Sequence, residues 1–176
     1  MKLIALSGYA RSGKDEVGRI LVEQHGFSRV AKVDLLWEAA EKINPILRNR
    51  LRLADAVNMF GREYCKDVFS EVRLFLQRLA DVVVDVTGND PWTPAVFERA
   101  EGLSRVVLTR ISWPAEAEAV KERGGSVWRI ERPGFGPGND DANETALDDW
   151  PFDATIVNDS DFDGLAQKIA MLMAML

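Results

Sequence analysis

The residues best suited to chemistry stand at the start of the chain, in the run GYARSGKD over positions 8–15. Gly8, four intervening residues and then Gly13-Lys14 match the spacing G-x-x-x-x-G-K. That spacing lets a backbone curl around a phosphate and turn several N–H groups inward. Gly8 and Gly13 supply turns that a Cβ would hinder. A helix starting at Lys14 adds its positive N-terminal end, and the Lys14 ammonium reaches the outer phosphates as a flexible point charge. Arg11 and Ser12 inside the loop, with Asp15 and Glu16 after it, complete the expected donor-binding set. The hydroxyl that commonly follows the lysine as a magnesium ligand is replaced by Asp15, a carboxylate that binds Mg²⁺ directly or through water. A glycine-rich turn with no ligand requires neither the lysine nor the strand before and helix after, so phosphate binding is the stronger reading.

Such a loop must be carried by a strand–helix unit. Lys2–Ser7 holds the apolar run LIAL and reads as a buried central strand. Lys14–His25 carries Val17, Ile20 and Leu21 at helical spacing, with Gly26 at its C-cap. A second strand is expected over Phe27–Val33, then a helix from Asp34 to Ile43 with Asp34 as N-cap. The strongest periodicity runs from Asp67 to Val86, where Phe69, Val72, Leu76, Leu79, Val83 and Val86 form one stripe of a long helix. Further strands are expected at Arg105–Thr109, Ser126–Glu131 and Ala154–Val157. Helices are expected over Pro114–Arg123 and at the C-terminus, where Leu165, Ile169, Leu172 and Leu176 share a face. Residues 44–62 and 133–151 read as irregular, the second, with PGFGPGNDD, as a mobile lid. The alternation predicts an α/β fold of the P-loop NTPase type, a three-layer sandwich with a five-stranded parallel sheet and helices on both faces.

Composition narrows the ligand. The chain has 176 residues, enough for one sizeable core and a single expected domain, 1–176. With a net charge of −6 it has no general attraction to nucleic acid, so an anion must be held by local donors; a small phosphorylated molecule fits best. One cysteine, Cys65, excludes an internal disulfide and fits a reducing cytoplasm, and one histidine leaves no Cys/His zinc cluster. The N-terminal apolar run lasts about five residues before the glycines, too short for a leader or the roughly 20 residues of a membrane span. No N-K-x-D sequence is present, which argues against a GTPase.

Beyond the cradle, the chain resembles the phage-type deoxynucleoside monophosphate kinases over nearly its whole length. The opening MKLIALSGYARSGKDEVG, with its GKD, is similar to that family's start. So are Arg73-Leu-Phe-Leu-Gln77, Pro114-Ala-Glu-Ala-Glu118, Val127-Trp-Arg-Ile-Glu-Arg132-Pro133 and Ile156-Val-Asn158-Asp159. The resemblance implies ATP and Mg²⁺ as cofactors, a deoxynucleoside monophosphate acceptor, an NMP-binding helical segment over about 34–90 and a lid over about 129–151. It implies donor phosphates on Lys14 and the loop, the acceptor on Arg73 and Gln77, closure by Arg132 with Arg129 beside it on the substrate, and Asn158 beside the base; Asp34, following a strand beside the cradle, is a further substrate-site candidate that could hold Mg²⁺ waters. Arg73 and Gln77 share one helix face, and their types suit a phosphate and a base edge. Three positions depart from the pattern: Arg110 in place of an acid after the third strand, Asp141 in place of a lid histidine, and Ala80–Asp85 without its arginine. Other small-molecule P-loop kinases, and a nucleotide-binding homologue with little or no transfer, remain alternatives. The arginine-rich 44–62 segment and Trp113 and Trp128, read as core or interface, leave room for a homodimer.

Overall fold

The computed structural model describes all residues except Asn49, Gly88, Asn89, Asn139, Asp140, Asp141 and Leu176, together with the side chains of Ala142 and Asn143. The Asp141 departure and the Leu176 end of the apolar face lie outside the described residues. The chain forms two compact units, one of residues 1–31 and 100–176, the other of residues 32–99.

The first unit is built on five parallel strands: β1 (Lys2–Ser7), β2 (Ser28–Val30), β3 (Arg105–Leu108), β4 (Ser126–Glu131) and β5 (Ala154–Val157), in the order β2-β3-β1-β4-β5. The register sets Ala5 beside Leu108 on one side and Val127 on the other. Because side chains alternate along a strand, β1 feeds two cores. Ile4 and Leu6 point with Val107, Trp128, Ile130 and Ile156 toward α1 (Lys14–His25) and the C-terminal helix Phe162–Met175, where Val17, Ile20, Leu21, Leu165 and Ile169 are buried. Burying a side chain of this size contributes about 1.5–3 kcal/mol. Leu3, on the opposite face, meets Val120 of the helix Pro114–Glu122 across Gly125, where a side chain would collide with both. These faces are the three expected layers.

The P-A-E-A-E run serves this helix. Glu116 is buried, and its carboxylate reaches back to accept the N–H groups of Ser112 at 2.6 Å and Trp113 at 3.1 Å, capping the first turn. Trp128 is a core residue, whereas Trp113 is 45% exposed at the helix start.

The second unit is helical: Lys32–Ile43, Leu53–Phe60, Arg62–Val68, Ser70–Thr87 and Trp92–Ala100, the last ending one residue beyond it. Five expectations are corrected. The second strand stops at Val30 and its helix starts at Lys32, so Asp34 lies in the first turn and is not the N-cap. Residues 44–62 are not irregular throughout: Asn44 Oδ1 accepts the Ala54 N–H at 2.9 Å at the start of a helix over Leu53–Phe60. The long helix is broken at Phe69, whose extended backbone (φ −97°, ψ 94°) ends one helix before Ser70 starts the next. Its stripe buries Val72 and Leu76 against Trp37, Leu53 and Cys65, but Val86 at the far end is 80% exposed. Finally, the lid segment contains a short helix, Ala142–Thr145, and the helix Trp92–Ala100 had no strong apolar period to announce it.

Candidate functional site

The loop between β1 and α1 takes the conformation its glycines allow. Gly8 and Gly13 have φ of 147° and 101°, and Arg11 also sits in the left-handed region at 63°. A Cβ on Gly8 would strike the main-chain oxygen of Ile130, so the loop rests directly against β4. Among the described residues no side chain caps the N-terminus of α1, so its first-turn N–H groups face the loop as donors for an anion. Lys14 Nζ folds back to donate to the main-chain oxygens of Gly8 and Tyr9, each at 2.6 Å. The Ser12 hydroxyl is buried and has no partner among the described residues. Asn158, in the turn after β5, donates from Nδ2 to the Ser12 oxygen at 3.0 Å. It thereby holds the loop from beneath.

Charge around Lys14 is mixed. Burial and then the positive charge of Arg110 lower its pKa to about 8, while Glu144 and Asp15 act in the opposite direction. Glu144 Oε2 accepts the Ala10 N–H of the loop at 3.1 Å, so a carboxylate from the segment between β4 and β5 touches a loop donor. The Glu16 carboxylate is committed to Arg19, at 2.6 Å and 3.2 Å, which holds its pKa down. Asp15 is exposed.

Two cavities adjoin the loop. One, of about 530 Å³, is lined by Arg11, Gly13, Lys14, Asp15, Glu16, Arg132 and Phe135. The other, of about 380 Å³, shares Arg132 and Phe135 and continues past Tyr9, Phe152 and Val157. Arg132 is exposed, with its guanidinium 4.7 Å from the Phe135 ring centre. Arg129 behaves differently. It is only 5% exposed, donates to Asp148 Oδ1 at 2.9 Å and stacks 4.3 Å from the Tyr9 ring. Tyr9 OH donates to the other Asp148 oxygen at 2.8 Å, and burial followed by that bond raises its pKa. Strand alternation predicts an exposed partner for every buried residue, yet Val127 to Ile130 are all buried because β4 lies between β1 and β5.

The structure thus gathers Gly8, Arg11, Ser12, Gly13, Lys14, Asp15, Glu16, Arg132 and Asn158 around one loop, with the Arg129 guanidinium on Asp148. Asp34, Arg73 and Gln77 belong to the helical unit. Arg73 and Gln77 are exposed on one face of Ser70–Thr87, and Arg73 pairs with Asp67 at 3.2 Å. Sequence reasoning gave no role to Tyr9, Glu144 or Asp148. Tyr9 lay inside the glycine motif as an unspecified position, and the two acids lay in a stretch read as irregular.

These residues fit a nucleoside triphosphate: a cradle a Cβ would fill, an uncapped helix start, an orphaned hydroxyl and a lysine. Among the described residues no group of three or more His, Cys, Asp or Glu stands together as a metal site. Asp15, exposed beside Lys14, is the loop carboxylate that would hold a divalent ion. No helix among the described residues is long and apolar enough to cross a membrane.

No family model matches the chain, and no curated protein matches it. Solved structures do. The shikimate kinase of Aquifex aeolicus vf5 overlays with a TM-score of 0.53 at 12% identity, over 98% of this chain and 96% of that one. TT1252 of Thermus thermophilus follows at 0.47 and 16% identity, over 99% and 97%; the APS kinase CysC of Mycobacterium tuberculosis gives 0.42 and 17%, over 98% and 96%. The last two overlaps are too low to weigh. The first, at its low identity, speaks for architecture alone: like that structure, the chain is an α/β three-layer sandwich on a five-stranded parallel sheet.

Proposed function

We propose that the protein is a nucleotide kinase that moves the γ-phosphoryl group of ATP to a deoxynucleoside monophosphate, giving ADP and a deoxynucleoside diphosphate. The observation that carries this reading is the Lys14 ammonium inside the cradle, bonded to Gly8 and Tyr9 oxygens and opening on a cavity lined by Arg11 and Arg132. Phosphoryl transfer needs little more from a protein than alignment and neutralisation of charge. Lys14 and the amides of residues 13–16 hold the donor phosphates. Arg132, on the segment after β4, closes over the group in transit and excludes water. Arg73 and Gln77 supply the acceptor-binding groups, one for phosphate and one for a base edge. Asp15, with the nucleotide, would hold Mg²⁺, which would supply further charge neutralisation. Arg129 supports the reading as a positioning residue: it fixes Tyr9, the second residue of the loop, through Asp148.

Incubating the protein with ATP and each of the four deoxynucleoside monophosphates, and following ADP release, tests the reading. Release that depends on one or more monophosphates supports it; release with none of them sinks it. A second reading, nucleotide binding without transfer, is favoured by Arg110 standing where an acid would support Mg²⁺. It predicts ATP binding with no turnover at any Mg²⁺ or Mn²⁺ level.

A further inference from the structure

Arg110 is the second residue beyond β3, and its two neighbours hold it in place. Thr109 is buried with its methyl against α1, where a Cβ on Gly18 would lie 2.8 Å from it. Ile111 is buried too, and its N–H donates to the Leu6 oxygen at 3.1 Å, so the chain tracks β1 beyond the end of β3. Arg110 is thereby fixed at the end of β1 from which the phosphate loop springs. Its own side chain is exposed and has no carboxylate partner among the described residues.

The same holds for two other arginines around the loop. Arg11 has no ion pair among the described residues, and Arg132 has only the Phe135 ring. Elsewhere in this unit Arg19, Lys121, Arg129 and Lys168 each pair with a carboxylate, and Arg105 donates to the His25 main-chain oxygen; Lys2, like the loop arginines, has no ion pair among the described residues. In a chain with 28 acidic residues against 22 basic ones, three arginines that lack an ion pair among the described residues stand near one lysine, and a bound anion would supply their counter-charge. An acid at the end of β3 would draw a hydrated cation to the phosphates. An arginine repels that cation and offers the phosphate a two-pronged donor.

Resting on the nucleotide-kinase reading, we propose that Arg110 binds a phosphate of the nucleotide and brings to the end of β3 the positive charge a divalent cation would otherwise bring, so that the site holds a polyphosphate with little dependence on metal. The claim concerns binding; Mg²⁺ bound to the nucleotide keeps its part in transfer.

Calorimetric titration of ATP into the full-length protein, in EDTA and in excess MgCl₂, tests it with Arg110→Gln, Arg110→Lys and Arg110→Asp. Wild type binds ATP about as tightly in EDTA as in Mg²⁺. Arg110→Gln weakens binding in EDTA by about tenfold or more, Arg110→Lys retains most of it, and Arg110→Asp makes Mg²⁺ strengthen binding by about tenfold. Thermal melting checks that the variants fold; at an exposed position Lys and Gln preserve the stem. The proposal is overturned if Arg110→Gln binds ATP in EDTA within about twofold of wild type, or if wild type loses about tenfold or more without Mg²⁺. Wild type that binds no ATP in either buffer overturns the kinase reading itself, a distinct result.

Discussion

The side-chain amide of Asn158 donates to the main-chain oxygen of Ser12 at 3.0 Å, joining the turn after β5 to the phosphate loop across 146 positions of sequence. The Asn158 N–H also donates to the Glu131 oxygen at 2.7 Å, so the residue is fixed to β4 while it holds the loop. Asn158→Ala removes one such bond and leaves the Ser12 oxygen open. It costs about 1 kcal/mol, lowers Tm by about 2–4 °C and weakens ATP binding several-fold. Melting curves and ATP titration check both effects together; a loss of stability without a loss of affinity would separate Asn158 from the loop's function.

The two loop glycines are unequal. A Cβ on Gly13 would meet the Asn158 amide, whereas a Cβ on Gly8 would meet the Ile130 main-chain oxygen. A side chain can move aside and a strand cannot, and both positions have positive φ. Gly8→Ala therefore costs more, about 3 kcal/mol against about 1–2 kcal/mol for Gly13→Ala. Urea unfolding gives both values. Adding Asn158→Ala to Gly13→Ala costs less than the sum of the single changes, because the clash is then removed.

Lys14 carries a pH signature. Its pKa of about 8 lies below the ordinary 10.5, so between those values the unfolded chain binds more protons than the folded one. Its contribution to stability consequently rises as pH climbs from about 8 to 10.5 and is flat below about 8. Bound phosphate favours the ammonium and restores the pKa, so nucleotide binding takes up about half a proton at pH 8 and approaches one at pH 9. Titrations in buffers of different ionisation enthalpy read this uptake. Lys14→Met abolishes it, and uptake that persists in this variant would assign the proton elsewhere.

Asp148 serves both Arg129 and Tyr9. Its side chain is 35% exposed, but that of Arg129 is only 6% exposed, so Asp148→Asn leaves a buried guanidinium short of charge. The change costs about 2 kcal/mol, less than a fully buried pair because water reaches the carboxylate side. Arg129→Met, which removes the buried charge as well, costs less. Chemical unfolding of the two variants gives the order, and the reverse order would show the pair to be unimportant.

The parts of this protein that were legible in the sequence are those with a local cause. β1, β4 and β5 were readable from short apolar runs ended by turn residues, and the cradle from its spacing. Helix boundaries failed where tertiary contacts decided them. Asp34 looks like an N-cap, but the chain turns helical at Lys32. Phe69 sits in phase with Val72 and Leu76 yet breaks the helix, which no periodicity could reveal. The acids of the lid segment were missed for a different reason: Glu144 and Asp148 have partners at Ala10 and Tyr9, more than 130 positions away. The fold depends on patterns repeated along the chain, whereas the electrostatics of the site depend on pairs that only folding creates.

The central claim is phosphoryl transfer to a deoxynucleoside monophosphate. ATP labelled in its γ-phosphate, incubated with Mg²⁺ and each monophosphate in turn, tests it most directly by chromatography of the products. Label should move into a deoxynucleoside diphosphate with the wild-type protein and fall by about a hundredfold or more with Lys14→Ala. Label that remains in ATP, or appears only as free phosphate whichever monophosphate is present, would contradict the account.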